Sequence, residues 1–486
     1  MKILHAASEC FPLIKTGGLA DVVGALPLYQ QNLGCDARVI LPFYSALREK
    51  ISETHAIFRT DSFAGDVTLR YAEYQGLKLY LIDAPHLYDR DGNPYYDCYY
   101  RDYSDNCNRF ALLSWAAAAI ADGADQLWGK ADILHAHDWQ TGLAAAYLRH
   151  WGSSVQSVFT IHNIAYQGVF IGCDLARIWL DPMMFQMEGL EFYGNVSFLK
   201  AGIFYSDQVS TVSQTYASEI TRYPAGNGME GLLAARKREK RLTGILNGID
   251  TDIWNPATDE LIPKNFTAKK LANKKICKNT LRRNFGLNTR RRLPLLVMIS
   301  RLAEQKGADL LARNLENRLD AGGLNFQFVI LGSGEKYLED WFNYLAWRDP
   351  KNIASYIGYN EKLSHEMVAA ADAIVIPSRF EPCGLTQLYG LAYGALPIVR
   401  RTGGLADTVF EGVDGENGFV FNYEYEHDLG LAIDRFVATW KNQKQFEAMQ
   451  TAAMQEEHSW EKAANNYLEM YLSFDIKSAK KEGEEL

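Results

Sequence analysis

Short continuous apolar runs recur along the chain at Ile3–Ala7, Ile133–Ala136, Ser157–Ile161 and Val209–Val212, and again at Leu295–Ile299, Phe326–Leu331, Ala373–Pro377 and Leu396–Val399. Runs of this length with no polar alternation predict strands buried on both faces, as in parallel sheets. Between them lie amphipathic stretches with helical spacing, including Leu19–Gln31, Arg109–Ala121, Asp309–Leu319 and Leu363–Ala370. The alternation predicts α/β units with helices on both faces of a mostly parallel sheet. A polar, lysine-rich stretch from Trp254 to Asn288 separates two such halves, and a boundary is expected at Asn247 and Gly248. Glu335–Gly358 continues the second half, and the chain is expected to be helical from about His427 through Tyr471.

Composition narrows the class. The chain has 486 residues, 48% hydrophobic and 22% charged, enough apolar surface for two or more cores. Its net charge of −9 argues against a general nucleic-acid binder, which needs a basic footprint. Seven widely spaced cysteines without a CxxC pair read as reduced thiols. The opening MKILHAASE is interrupted by His5 and Glu9 and lacks the shape of a signal peptide. The longest apolar stretch, Phe110–Ala121, is too short to span a bilayer. These features predict a cytoplasmic protein with no membrane partner.

One repeat stands out: Thr16-Gly17-Gly18-Leu19-Ala20-Asp21 recurs letter for letter at Thr402–Asp407. Both copies lie between a strand and a helix. Paired glycines there let backbone approach a ligand, and the helix start offers N–H groups to an anion. Both copies therefore read as ligand-facing, against the plainer reading of two similar helix entries.

In doubly wound sheets ligands bind beyond the carboxyl ends of the strands. Residues just after the predicted strands are His137, Asp138 and Trp139; His162 and Asn163; Ser300 and Arg301, followed by Lys306; Gly332-Ser333-Gly334; and Ser378, Arg379, Glu381, Cys383 and Gly384. Arg301 and Lys306, with Lys15 from the first half, supply the fork and point charges that suit a diphosphate. Glu381 either accepts from sugar hydroxyls or interacts with a helix start. His162 is either a satisfied core histidine or, with Asn163, Tyr166 and Phe170, part of a polar–aromatic rim suited to sugar. His135 and His137 read as alternate faces of one strand; no third ligand has matching spacing, so no metal site is expected. Asp250-Thr251-Asp252 reads as a turn. Gly332-Ser333-Gly334 lacks the third glycine of a dinucleotide fingerprint, since Tyr337 stands there.

Several segments together resemble the family of ADP-glucose-dependent bacterial glycogen synthases and plant starch synthases. They are the opening Ser8–Asp21, HAHDWQTGL from His135, TIHNIAYQG from Thr160, LNGID from Leu246, SRLAEQKG from Ser300, PSRFEPCGLTQLYG from Pro377 and RTGGLADTV from Arg401. The likeness covers nearly the whole chain. It implies a GT-B fold of two Rossmann-like doubly wound α/β domains facing across a deep cleft. The first domain would be 1–247, completed by a C-terminal helix at about 460–477; the second would be 248–459, and 478–486 would be a frayed charged tail.

The resemblance also implies roles. Lys15 and Gly18 look like donor diphosphate contacts, and Arg301 and Lys306 resemble the pair that neutralises the leaving ADP. Glu381 resembles the glutamate near the transferred glucose, His162 the histidine under it, and Asn247 a further glucose contact. Asp138 and Asn163 resemble groups that position donor and acceptor. Cys383, Gly384 and Leu385 resemble the backbone that holds the sugar hydroxyls, with Thr386 beside them, and Tyr359 resembles the residue against which adenine packs. Relatives in the wider superfamily carry a second glutamate where Tyr389 stands. The implied reaction moves glucose from ADP-glucose to the non-reducing end of an α-1,4-glucan with retention, without metal or other cofactor. Competing readings are a transferase using UDP-glucose or a small acceptor, a phosphorylase, and a silent polysaccharide-binding protein.

Overall fold

The computed structural model describes residues 1–412 and 415–484. The chain divides into two compact units, Met1–Leu246 together with the segment from Trp460, and Asn247–Ser459.

The first unit is built on a nine-stranded sheet. Its strands are Lys2–Ala6 (β1), Asp36–Pro42 (β2), His55–Ser62 (β3), Gly65–Tyr74 (β4), Leu77–Asp83 (β5), Ile133–His137 (β6), Gln156–Ile161 (β7), Gln208–Thr211 (β8) and Leu242–Gly244 (β9). The spatial order is β9-β8-β7-β6-β1-β2-β5-β4-β3. Pairing is parallel from β9 to β5 and antiparallel through β4 and β3. The apolar runs of the sequence locate β1, β6, β7 and β8 to within about a residue, the usual uncertainty of strand ends. The β3–β5 meander has no such run in β3, where polar and half-exposed positions alternate.

β1 lies between β2 and β6, so the strand order reverses at β1/β6, where a doubly wound sheet opens to ligand beyond its strand ends. The helix Gly18–Asn32 (α1) buries Leu19, Val22, Val23, Leu26 and Gln30, spaced to face one side. The last helix, Trp460–Glu484 (α2), packs on this unit: Trp460, Tyr467 and Tyr471 join Ile3, Val22, Leu26, Ile133 and Val158 in one core. Of the tail expected to fray from 478, this helix includes residues to Glu484, and residues 485–486 lie outside the described residues.

The second unit has a six-stranded, all-parallel sheet: Leu295–Ile299 (β10), Gln327–Gly332 (β11), Ile353–Ile357 (β12), Ala373–Ile376 (β13), Leu396–Arg400 (β14) and Phe419–Phe421 (β15). The order is β12-β11-β10-β13-β14-β15, which places its reversal at β10/β13. Residues 254–288 are not a spacer between halves. Ile262, Phe266, Cys277 and Leu281 are buried in this unit's core with Leu295 and Ile374. The many lysines that gave the segment a linker-like composition include Lys274, which is buried and caps three backbone carbonyls, among them Ala369 and Tyr393. The expected C-terminal helix is three helices: Glu426–Lys441, Gln443–Ala453 and α2.

Candidate active site

In the first unit the site residues follow β1, β6 and β7. The loop after β1 carries Glu9, a buried carboxylate three residues beyond the strand that was not among the expected site residues. Glu9 accepts from the backbone N–H of Thr16 and of Gly17, from the Thr16 hydroxyl and from the Tyr95 hydroxyl. These bonds tie down the first repeat copy. Lys15 beside it is exposed, 2.7 Å from Asp21 Oδ1 and 5.4 Å from the Phe11 ring centroid. A Cβ built at Gly17 or Gly18 meets nothing within 4 Å, so this loop has room for a ligand against its backbone.

Asp138 follows β6 with φ 58° and ψ 178°, a conformation that costs a non-glycine residue of order 1–3 kcal/mol and that clusters at functional sites. Its Oδ1 accepts from the backbone N–H of His162 at 2.7 Å and of Asn163 at 3.4 Å, joining the ends of β6 and β7. Burial pushes the carboxyl up to about 7, against the lowering effect of those two N–H donors. The Asn163 side chain accepts from Ala165 N–H at 3.0 Å.

His135 and His137 do not occupy alternate faces. Two residues apart on one strand they share a face, as strand geometry requires, and their rings stack with centroids 4.1 Å apart. A third ligand type does lie beside them: His5 of β1, paired directly with His135 across the sheet. Linear spacing could not show this, because the sheet supplies the neighbour. Each of the six ring nitrogens of these three histidines already has a hydrogen-bond partner at 2.6–3.0 Å.

In the second unit the cations and the carboxylate converge at the β10/β13 reversal. Lys306 Nζ lies 2.6 Å from Glu381 Oε2, and Ser378 Oγ donates to the same oxygen at 3.0 Å. Arg301 is exposed, its guanidinium 3.3 Å from Gln305 Oε1. Two close approaches bring these loops together. Gly307, at φ 66°, passes Pro377 O so tightly that a Cβ would sit 2.0 Å from it. Gly332 and Gly334 stand 2.0 and 2.1 Å, on the same measure, from Ser300 O and Leu302 O. The Gly-Ser-Gly turn is thus a seat for the Arg301 loop, consistent with its failure as a dinucleotide fingerprint.

The second repeat copy works differently from the first. Thr402, Gly403 and Gly404 are buried, Gly404 N–H donates to Glu381 O at 3.1 Å, and a Cβ at Gly403 or Gly404 would lie 1.9 Å from Glu381 O or Cys383 O. These glycines pack against the backbone of the Glu381 loop. The same six letters thus meet open space once and packed backbone once, a difference set by tertiary context.

The Cys383 thiol is buried, which raises its pKa to about 12, and faces the backbone N–H of Asn247. Asn247 is itself buried, and its Oδ1 is enclosed without a partner among the described residues. Gly384 takes φ 72°, and the Gln387 amide donates to Cys383 O at 3.1 Å and Gly384 O at 3.0 Å, fixing the turn before Leu385 and Thr386. Tyr359 lies after β12, largely exposed, with its hydroxyl on the Glu361 carboxylate. Tyr389, at the position of the superfamily's second glutamate, stacks on Trp254 with centroids 3.8 Å apart. Asp250-Thr251-Asp252 is a turn: Asp250 Oδ1 accepts from the N–H of Asp252 at 2.9 Å.

Two α/β units, one on a mostly parallel and one on an all-parallel sheet, each with charged and polar groups at its topological reversal, define a glycosyltransferase of GT-B architecture. Family models agree: the starch synthase catalytic domain matches residues 2–235 and the group 1 glycosyl transferases match 280–452. A glycogen synthase of Actinobacillus pleuropneumoniae is 51% identical over 477 residues, covering 97% of this chain and 99% of the relative. That of Haemophilus influenzae is 50% identical with the same coverage. The solved catalytic domain of starch synthase IV from Arabidopsis thaliana, bound to ADP and acarbose, superposes with a TM-score of 0.82 at 31% identity, covering 97% of this chain and 99% of that one. A sucrose-phosphate synthase from Thermosynechococcus elongatus shares the fold at 15% identity, with a TM-score of 0.61. The chain belongs to the glycogen synthase family. No helix among the described residues is long and apolar enough to cross a membrane.

Proposed function

We propose that this chain transfers glucose from ADP-glucose to the non-reducing end of an α-1,4-glucan with retained configuration, releasing ADP in the cytoplasm. The observation that carries the reading is the convergence of Arg301, Lys306 and Glu381 at the β10/β13 reversal. As the glycosidic bond breaks, positive charge grows at the anomeric carbon and negative charge on the departing diphosphate. Arg301 and Lys306 stabilise the second, an effect strengthened where water is excluded. Glu381, held through Oε2 by Lys306 and Ser378, keeps Lys306 in place and directs its other oxygen to the sugar. Cys383, Gly384, Leu385 and Thr386, with the enclosed Oδ1 of Asn247, are assigned to the sugar hydroxyls, and Tyr359 to adenine. Lys15, Gly18, Asp138, His162 and Asn163 of the first unit are assigned to the same donor and its acceptor.

Commitment of Glu381 to Lys306 and Ser378, and an aromatic ring at 389, favour front-face attack over a glutamate nucleophile. In that step the acceptor hydroxyl oxygen bonds to the anomeric carbon, the bond to the phosphate oxygen breaks, and the acceptor proton passes to the leaving phosphate. Arg301 and Lys306, two cationic side chains to carry the diphosphate charge, favour a reaction that needs no added metal. Labelled glucose is expected to enter glycogen from ADP-glucose in the presence of a chelator. Incorporation only from UDP-glucose, or none without metal, would refute the donor or the metal assignment respectively.

A further inference from the structure

The first unit contains a chain of buried imidazoles that leads away from His162. His162 Nε2 lies 3.0 Å from His137 Nδ1, His137 Nε2 lies 3.0 Å from His5 Nδ1, and His5 Nε2 lies 2.7 Å from Gln30 Oε1. The Gln30 amide nitrogen in turn donates to the Tyr471 hydroxyl at 3.3 Å, and that hydroxyl lies 2.6 Å from His135 Nδ1. Gln30 and His5 are fully enclosed, and so is His137.

A neutral imidazole has one N–H and one bare nitrogen. When such rings hydrogen-bond in file, the direction of one bond dictates all the others. Gln30 presents a carbonyl oxygen to His5, so His5 must be protonated on Nε2 and bare on Nδ1. His137 must then donate from Nε2 and accept at Nδ1, and His162 must donate from Nε2. Burial depresses the pKa of all these rings, His5 to about 4 and His162 to about 3, so the neutral forms that the row requires are the forms present. His162 is the one half-buried member, and among the described residues its Nδ1 has no protein partner.

We propose that Gln30, His5 and His137 are positioning residues that lock His162 in the Nε2–H tautomer, so that its Nδ1 acts only as a hydrogen-bond acceptor for a donor-sugar hydroxyl. The assignment to sugar rests on the function proposed above; the tautomer does not. Metal binding at His5, His135 and His137 is the competing use of the same cluster. It would require breaking hydrogen bonds that already satisfy every ring nitrogen, and a metal-bound His5 or His137 could not relay the direction.

The test is long-range 1H–15N spectroscopy of the full chain labelled with 15N-histidine, with His162 assigned by its absence in His162→Ala. The relay predicts His162 protonated on Nε2 and bare on Nδ1 in the wild-type protein; protonation on Nδ1 would overturn it. Gln30→Met fills the same space without a hydrogen-bonding group and should give a mixture of His162 tautomers. Tyr471→Phe, which removes the group that orients the Gln30 amide, should do the same if Gln30→Met fails to fold. An unchanged tautomer in the variant examined would remove Gln30 from the role. In kinetics, the variant should lower kcat/KM for ADP-glucose about five- to tenfold, the loss expected for one hydrogen bond, while the Kd for ADP stays unchanged. A stoichiometric metal in the purified protein that vanishes in His5→Gln would also overturn the relay. If the spectra show the expected tautomer but no glucose is transferred, the relay stands and the proposed function fails.

Discussion

The two copies of Thr-Gly-Gly-Leu-Ala-Asp invite one matched pair of substitutions, Gly404→Ala and Gly18→Ala. A methyl group on Gly404 would fall 1.9 Å from Cys383 O, about 1.5 Å short of ordinary contact, and the neighbour is backbone that cannot rotate away. Either the short helix Gly403–Thr408 lifts or the Glu381–Gly384 loop moves by a comparable amount. Overpacking of this kind costs about 1–3 kcal/mol. For a unit the size of Asn247–Ser459 that lowers Tm by several degrees, at roughly 2–4 °C per kcal/mol. A shift of about 1 Å in the loop that carries Glu381 can also cost of order 100-fold in rate.

Gly18→Ala meets nothing within 4 Å and sits at the first turn of α1, so Tm should hold. If backbone at Gly18 approaches the donor diphosphate, the added methyl raises KM for ADP-glucose instead. Calorimetry and initial-rate kinetics on the two variants separate the outcomes. Equal Tm in both, or a fall in kcat for Gly18→Ala alone, would refute the division of labour between the copies.

Other expected outcomes follow from the same geometry. Lys306→Ala should lower kcat about 100- to 1000-fold with little change in acceptor affinity, because the ammonium acts on charge that grows in the transition state; steady-state kinetics at varied glycogen checks this. His5, held down to about 4 by burial, binds its proton later in the folded than in the unfolded chain. Its contribution is therefore intact above about pH 6.5 and is lost as pH falls to about 4, by about 3 kcal/mol, and denaturant melts of His5→Gln should lack that part of the slope. Asp138 runs the other way: pushed up to about 7, its protonated form is favoured on folding, so its contribution is lost as pH rises from about 4 to about 7. Asp138→Asn should therefore gain on the wild type across that interval, and a constant difference in melts between pH 5 and 8 would contradict the shift.

Eight of the parallel strands, β1, β6, β7, β8, β10, β11, β13 and β14, were legible because burial on both faces writes itself into sequence as unbroken apolar runs, whereas β2, β5, β9, β12 and β15 were not picked out. Residues just beyond those runs pointed to Arg301, Lys306, Glu381, Asp138 and His162 for the same reason. What the chain does not write locally stayed hidden. β3 is half-exposed, so its polar positions mask the strand. Glu9 and Gln30 act through partners brought near by the fold, the first through Tyr95 and the second through His5 and Tyr471. His5 joins His135 and His137 only because β1 pairs with β6. Lys274 looks like a linker charge until the carbonyls it caps are seen. The backbone packed behind the second Gly-Gly pair is likewise absent from its six letters.

The reaction as derived depends on the side chains at the β10/β13 reversal taking up the charge of a departing nucleoside diphosphate. A crystal structure of the chain with ADP tests it most directly. The Arg301 guanidinium and the Lys306 ammonium should lie on the diphosphate oxygens, with Glu381 still holding Lys306. ADP bound with both cations turned away from its phosphates would contradict it.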